Sequence, residues 1–156
     1  MVFSTLHTND APSTITRLID MGLEDYLLTA TLNGVVAQRL VRTLCTACRK
    51  PHPVSAELVE RLGLATLARG AKPALYGAVG CERCGGTGYS GRTSIVEILT
   101  VTENLRDAVM RRAGTGELRE LACRGGMEPM RTHGLRKALA GKTSLDEVLR
   151  VTLEAA

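Results

Sequence analysis

Four of the five cysteines in this 156-residue sequence stand in two matched pairs, Cys45-Thr-Ala-Cys48 and Cys81-Glu-Arg-Cys84. Each CxxC turn presents two thiolates from one tight loop, and two such turns supply the four soft corners of a tetrahedral zinc ion. Thirty-two residues separate the pairs, more than in common zinc ribbons, yet enough for a helix and a return. Protein would fill all four corners, so Cys45, Cys48, Cys81 and Cys84 are expected to hold a structural ion and not a catalytic one. Gly85, Gly86 and Gly88 follow the second pair and allow a turn whose N–H groups point at the sulfurs; Arg49, Arg83 and Arg92 are candidates to add side-chain donors. Cys123 stands alone in a helical stretch and reads as a packed core residue. His52, between two prolines, reads as a solvated side chain and not as a replacement ligand.

The composition is consistent with reduced thiols. No run of eighteen apolar residues occurs, and the first residues, MVFSTLHTND, lack the basic and apolar regions of a signal peptide, so a cytosolic chain is expected, in which cysteines bind metal or pack and do not form disulfides. Twenty Lys and Arg against sixteen Asp and Glu leave a surplus of only four, short of the dense basic patch of a nucleic-acid binder. One Phe, three Tyr and no Trp leave few platforms for stacked bases.

The elements that must position these residues can be read from pattern. Residues 2–6 (VFSTL) predict a short buried strand, which needs sheet partners on both sides and places the natural start of its domain upstream. His7 then stands at a strand end, just before a helix N-terminus, a place where open α/β sheets bind ligands and where anions are favoured. Asn9 or Asp10 as N-cap, Pro12, the apolar Ile15, Leu18 and Ile19, and Gly22 predict a helix of about three turns. A second helix is expected over 24–32 and a strand over 37–44 (AQRLVRTL) leading into Cys45. Between the cysteine pairs a single helix is expected over 55–69. Residues 93–99 (TSIVEIL) return to strand pattern, and the remainder predicts helices over 102–112, 115–122, 129–140 and 144–153, the last opened by a Ser144/Glu147 capping box.

The order of motifs STLHTNDA, TRLIDMG, GVVAQRLVRTLCTAC and GCERCGGTGYSGRTSIVEIL resembles the carboxyl-terminal part of the secretion ATPases, the traffic ATPases of type II secretion and type IV pilus assembly. The resemblance runs over nearly the whole chain. It implies an α/β fold: the C-terminal part of a RecA-like motor core with its His box over 1–44, an inserted four-cysteine zinc module over 45–92, and a strand and helical subdomain over 93–156. It implies that His7 lies in the His box and, in the intact motor, sits near the γ-phosphate of ATP bound with Mg2+. Arg39 and Arg42 would follow His7 in space or lie at a ring interface. It further implies a homo-hexamer at the cytoplasmic face of the inner membrane, held there by the platform proteins of the secretion or pilus machine. The phosphate-binding loop GxxxxGK[ST] does not occur in this sequence, and Gly141-Lys142-Thr143 reads as a helix-end turn. By itself the chain is therefore expected to bind zinc and to turn over ATP negligibly.

Two other readings compete. Cys81 to Gly88 spells CxxCxGxG, similar to the zinc knuckles of DnaJ-type chaperones, but that family repeats the unit four times and here it occurs once. A nucleic-acid-binding zinc ribbon is the other alternative. The sixteen arginines read as scattered over helices and paired with nearby acids, which argues against it.

Overall fold

The structure is a computed structural model that describes residues 1–153. The described chain divides into two compact units, one of Met1–Gln38 with Val96–Met130, the other of Arg39–Ile95 with Arg131–Leu153. Two long strands, β1 (Gly34–Leu44) and β4 (Tyr89–Thr100), pair with each other, and each runs from one unit into the other along the chain. Helix and strand are thus mixed, as an α/β fold requires.

In the first unit, α1 (Ala11–Asp20) begins where the sequence places a cap: the Ser13 N–H donates to the Asp10 carboxylate at 2.8 Å, and Pro12 occupies the first turn. Ala11 and Ile15 point from α1 into a core shared with Leu28 of α2 (Asp25–Thr31), Leu99 of β4, Leu105, Ala108 and Val109 of α5 (Glu103–Met110), and Leu118 and Ala122 of α6 (Thr115–Arg124). Gly34 opens β1 because the strand passes the Leu99 carbonyl so closely that a Cβ would stand 2.9 Å from its oxygen.

A carboxylate lies inside this unit. Ile95, Glu97 and Leu99 alternate on the inner side of β4, and Glu97 is only 2% exposed. Its two oxygens accept the N–H of Ala11 at 2.9 Å and of Met130 at 3.0 Å, with the Arg119 guanidinium 3.9 Å away. Ala11 is the first residue of α1, so Glu97 satisfies one of the donors that a helix start leaves without an intrahelical partner.

In the second unit, β2 (Lys50–His52) and β3 (Leu75–Gly77) form an antiparallel ladder in the register Lys50↔Gly77, Pro51↔Tyr76 and His52↔Leu75. Between them lie α3 (Ala56–Arg61), capped by Ser55, and α4 (Leu64–Leu67). The C-terminal helices are α7 (Met130–Leu139) and α8 (Leu145–Leu153). Leu64 and Leu75 from the segment between the cysteine pairs share one apolar core with Leu135, Ala138 and Val148 of α7 and α8.

Three expectations are corrected here. Residues 2–6 form no strand: Val2 is 92% exposed and Phe3 88%, and among the described residues no strand lies alongside to supply the ladder hydrogen bonds that an extended segment requires. The single helix expected over 55–69 is two short ones, because Gly63 takes a left-handed backbone (φ 61) and breaks the run. Cys123 is exposed and not packed; α6 buries Leu118 and Ala122, and the next residue is turned about 100° away from that face. The triplet at 141–143 is the turn it was read as: Gly141 (φ 67) follows α7, with its N–H on Ala138 and the Lys142 N–H on Lys137.

Candidate metal centre

β1 ends at Leu44 and hands the chain straight into the first cysteine turn. The Cys48 and Arg49 N–H groups both donate to the Cys45 carbonyl, at 3.3 and 2.9 Å, curling Cys45 and Cys48 into one knuckle. The second knuckle is a short 3-10 turn, Glu82–Cys84, closed by Cys84 and Gly86 N–H groups on the Cys81 carbonyl. The knuckles are joined directly by the Cys45 N–H, which donates to the Gly88 carbonyl at 2.9 Å.

The result is one cluster. The sulfurs of Cys45, Cys48, Cys81 and Cys84 all lie within 4.8 Å of one another, with Cys45 to Cys81 at 4.0 Å, Cys48 to Cys84 at 3.9 Å and Cys81 to Cys84 at 3.8 Å. A tetrahedral ion with sulfur ligands at about 2.3 Å places neighbouring sulfurs about 3.8 Å apart, so the cluster has the size and donor chemistry to hold a metal ion such as zinc. All five cysteines are free thiols.

Backbone donors are already aimed at this cluster. The Cys81 and Gly88 N–H groups both donate to the Cys84 sulfur at 3.2 Å, which fits the expectation that the glycine turn turns its amides inward. Burial raises the Cys84 thiol, but those two N–H groups and the neighbouring Cys81 and Cys48 thiols outweigh it and bring it down to about 6. Burial raises Cys48, the Gly80 N–H offsets this in part, and the other three thiols add to it, leaving it at about 11. Thiols this close resist joint ionisation, which a dication among them would relieve. Gly88 and Gly80 are required by space: a Cβ on Gly88 would stand 2.6 Å from the Ala78 side chain, and one on Gly80 2.4 Å from the Gly86 oxygen. Arg49 is not a donor to the sulfurs as expected. Its guanidinium donates to the Gly141 carbonyl and lies 5.0 Å from the Tyr76 ring centre. His52 stands in β2, exposed and outside the cluster.

His7 belongs to the first unit and the cysteines to the second. It is exposed and lines a groove of about 280 Å³ with Thr8, Asn9, Ser13, Thr16, Arg17 and Asp20. Of the two arginines singled out in sequence, Arg42 lies over the Tyr89 ring, 4.0 Å from its centre, and donates to the Glu147 carboxylate at 2.7 Å.

Glu147 does more than the capping role its spacing from Ser144 predicts. The Ser144 hydroxyl does cap its N–H at 3.2 Å, but the carboxylate, 1% exposed as a residue, also accepts the Arg42 N–H and the Arg42 and Arg150 guanidinium groups. Burial alone would raise this carboxyl; the hydrogen bonds from Arg42 and Arg150 outweigh it and hold it at about 2, below its ordinary 4.5. A carboxyl with a depressed folded value stabilises the protein above its unfolded value and loses that contribution as pH falls from about 4.5 through about 2. The expected result is an acid-unfolding curve in which Glu147→Gln removes about 2 kcal/mol of the pH-dependent stability between those limits, allowing for solvent screening of the half-exposed arginines. An unchanged pH profile in the variant would show that Glu147 is not held this way.

Charge is partitioned more sharply than the sequence order suggests. Residues 39–95 and 131–153 of the second unit have fourteen Lys and Arg against five Asp and Glu; residues 1–38 and 96–130 have six against ten. The basic residues are therefore concentrated in the cysteine-bearing unit and not evenly scattered. Among the described residues no helix is long and apolar enough to cross a membrane.

The protein family described as Type II/IV secretion system protein matches residues 1–150. Type II secretion system protein E of Xanthomonas campestris pv. campestris is 52% identical over 155 residues, covering 99% of this chain and 27% of that protein. Type IV pilus assembly ATPase PilB of Thermus thermophilus is 48% identical over 158 residues, covering 99% of this chain and 17% of that protein. Type II secretion system protein E of Aeromonas hydrophila is 46% identical over 155 residues, with 99% and 30% covered. The chain spans less than a third of the length of these relatives.

Proposed function

Because the chain belongs to the type II/IV secretion system protein family, we propose that it is the carboxyl-terminal part of a cytoplasmic ATPase that powers type II protein secretion or type IV pilus assembly. The observation that carries this reading is identity of about half over 99% of the chain to proteins named for each of these two systems. In this reading residues 1–44 complete a RecA-like motor core, 45–92 are its zinc module and 93–156 its strand and helical subdomain. The parent works as a homo-hexamer, uses ATP and Mg2+, and is held at the inner membrane by platform proteins. Cys45, Cys48, Cys81 and Cys84 hold one structural zinc, which supplies a fixed cross-link and no open coordination site for substrate. The sulfur spacing supports this assignment.

His7 is the residue of this chain proposed to face the nucleotide. Its groove also exposes Asn9 and Arg17, side chains that can donate to an anionic group. The expected result is that the 156-residue chain hydrolyses ATP at background rate. Substituted for the corresponding part of a full-length type II relative, it supports hydrolysis that His7→Ala lowers about 100-fold, the loss typical of a group that stabilises transition-state charge. ATP turnover by the isolated chain that His7→Ala abolishes would overturn the assignment of the phosphate-binding machinery to other parts of the parent.

The charge partition favours a second reading, a zinc-bearing binding module for an anionic partner without an ATPase role. Nucleic acid is the partner to test. Retention of the chain on duplex DNA at low salt, lost steeply as salt rises, would support it; no retention at any salt removes it.

A further inference from the structure

Within the second unit, the chain around the first cysteine turn is stitched to the short connection between α7 and α8. The Leu44 N–H donates to the Lys142 carbonyl at 2.9 Å, and the Thr143 hydroxyl donates to the Arg42 carbonyl at 2.7 Å. The Tyr89 and Ser144 hydroxyls are hydrogen-bonded at 2.8 Å. Arg49, one residue past Cys48, donates to the Gly141 carbonyl. The fit is close: a Cβ on Gly141 would stand 2.8 Å from the Arg49 guanidinium and 3.0 Å from the Tyr76 ring. Thr143 and Ser144 are buried, at 0% and 2% exposure, so the polar groups they carry are costly to leave without these partners.

An apolar tie accompanies the polar ones. Leu64 and Leu75 pack with Leu135, Ala138 and Val148, and both leucines lie in the loop whose ends are Cys48 and Cys81. Each of these partners of α7, α8 and their connecting turn lies beside or between the two knuckles, in chain that a metal at the four sulfurs would fix; apart from them, Lys137 of α7 donates to the Thr93 hydroxyl at 3.1 Å and to the Ser94 carbonyl of β4. Arg42, Leu44 and Arg49 bracket the first knuckle; Leu64, Leu75 and Tyr76 lie in the loop between the knuckles; Tyr89 follows Gly88, which accepts from Cys45. Without that cross-link the loop must be closed against its own chain entropy by short strands and two small helices.

We propose that the tetracysteine site is the keystone of the C-terminal helix pair: metal occupancy holds the 141–144 turn and sets whether α7 and α8 are docked or released. The proposal rests on the metal reading given under Proposed function. It makes the ion a conformational device that acts on the last two helices, beyond stabilising its own loop.

The test is amide hydrogen exchange on the full chain before and after zinc is withdrawn by a strong chelator, with released zinc measured by colour. Exchange in α7 and α8 is expected to rise about ten-fold or more on withdrawal, as for sub-global opening. A second measurement uses Thr143→Val, which removes the hydroxyl donor without touching a cysteine. This variant is expected to keep one zinc per chain while α8 exchanges several-fold faster than in the parent chain, with the metal still bound. Zinc bound at one per chain and then withdrawn with no change in α7 and α8 would overturn the keystone and leave the metal reading intact. A chain that never holds metal would sink both.

Discussion

Elemental analysis of freshly prepared, reduced protein is expected to give about one zinc per chain, and the Cys81→Ser/Cys84→Ser variant is expected to lose it together with much of the stability of the second unit. The size of that loss follows from what the ion replaces. Structural zinc in small fingers binds with about 10–16 kcal/mol of apparent free energy, most of which appears as folding energy because the unfolded chain has no preformed site. Here the core around Leu64, Leu75 and Leu135 and the anchors on Glu147 share the task, so the loss is expected to be smaller, on the order of 5 kcal/mol, and to appear as a separate low-temperature transition. The variant keeps the sulfurs of Cys45 and Cys48, so weak residual metal binding is compatible with the argument. Full zinc content in the double variant is not, and neither is metal-free wild-type protein with unchanged melting.

The cluster was legible because its signal is local and paired. Two CxxC turns with matched spacing constrain their own geometry, and the glycines after Cys84 announce the backbone turn that Gly88 completes. The α1 start was legible for the same reason: Asp10, Pro12 and Ser13 act within one turn of each other. What escaped was set by distant chain. The β2 and β3 ladder joins two three-residue strands that begin twenty-five positions apart, too short for either to carry a period. The break at Gly63 lies in a run that is otherwise helical in pattern, where one glycine lowers helix propensity without fixing a boundary. The buried strand expected over 2–6 fails for a related reason: a strand exists only with a neighbour, and pattern does not supply one. Along the chain the bases are scattered; only the division into two units shows that most of them fall in the unit that also holds the cysteines.

Glu97 shows the same limit at one residue, and its replacement is the other large effect expected. In TSIVEIL the alternation places Glu97 on the inner side with Ile95 and Leu99, where burial of a lone carboxylate would be prohibitive. The structure resolves this with the Ala11 and Met130 N–H groups, 86 and 33 residues away in sequence, and with Arg119 at the margin. Glu97→Ala leaves both N–H donors buried without an acceptor and opens a void among Ile95 and Leu99. At about 1–3 kcal/mol for each orphaned donor, the expected destabilisation is about 3–5 kcal/mol by urea unfolding followed through the first unit. Glu97→Gln retains one carbonyl acceptor but sets an amide donor against a second donor, so it is expected to lose about half as much. Arg119→Ala should cost less than either, because that guanidinium is 40% exposed, stands 3.9 Å from Glu97 and has its short contact, 2.6 Å, with the part-exposed Asp10. An order in which Arg119→Ala is the most damaging would mean that the ion pairs of Arg119, with Asp10 at 2.6 Å and with Glu97 at 3.9 Å, outweigh the two backbone donors. A loss below about 1 kcal/mol in Glu97→Ala would mean that water satisfies both donors and that the carboxylate does not tie Ala11 to Met130.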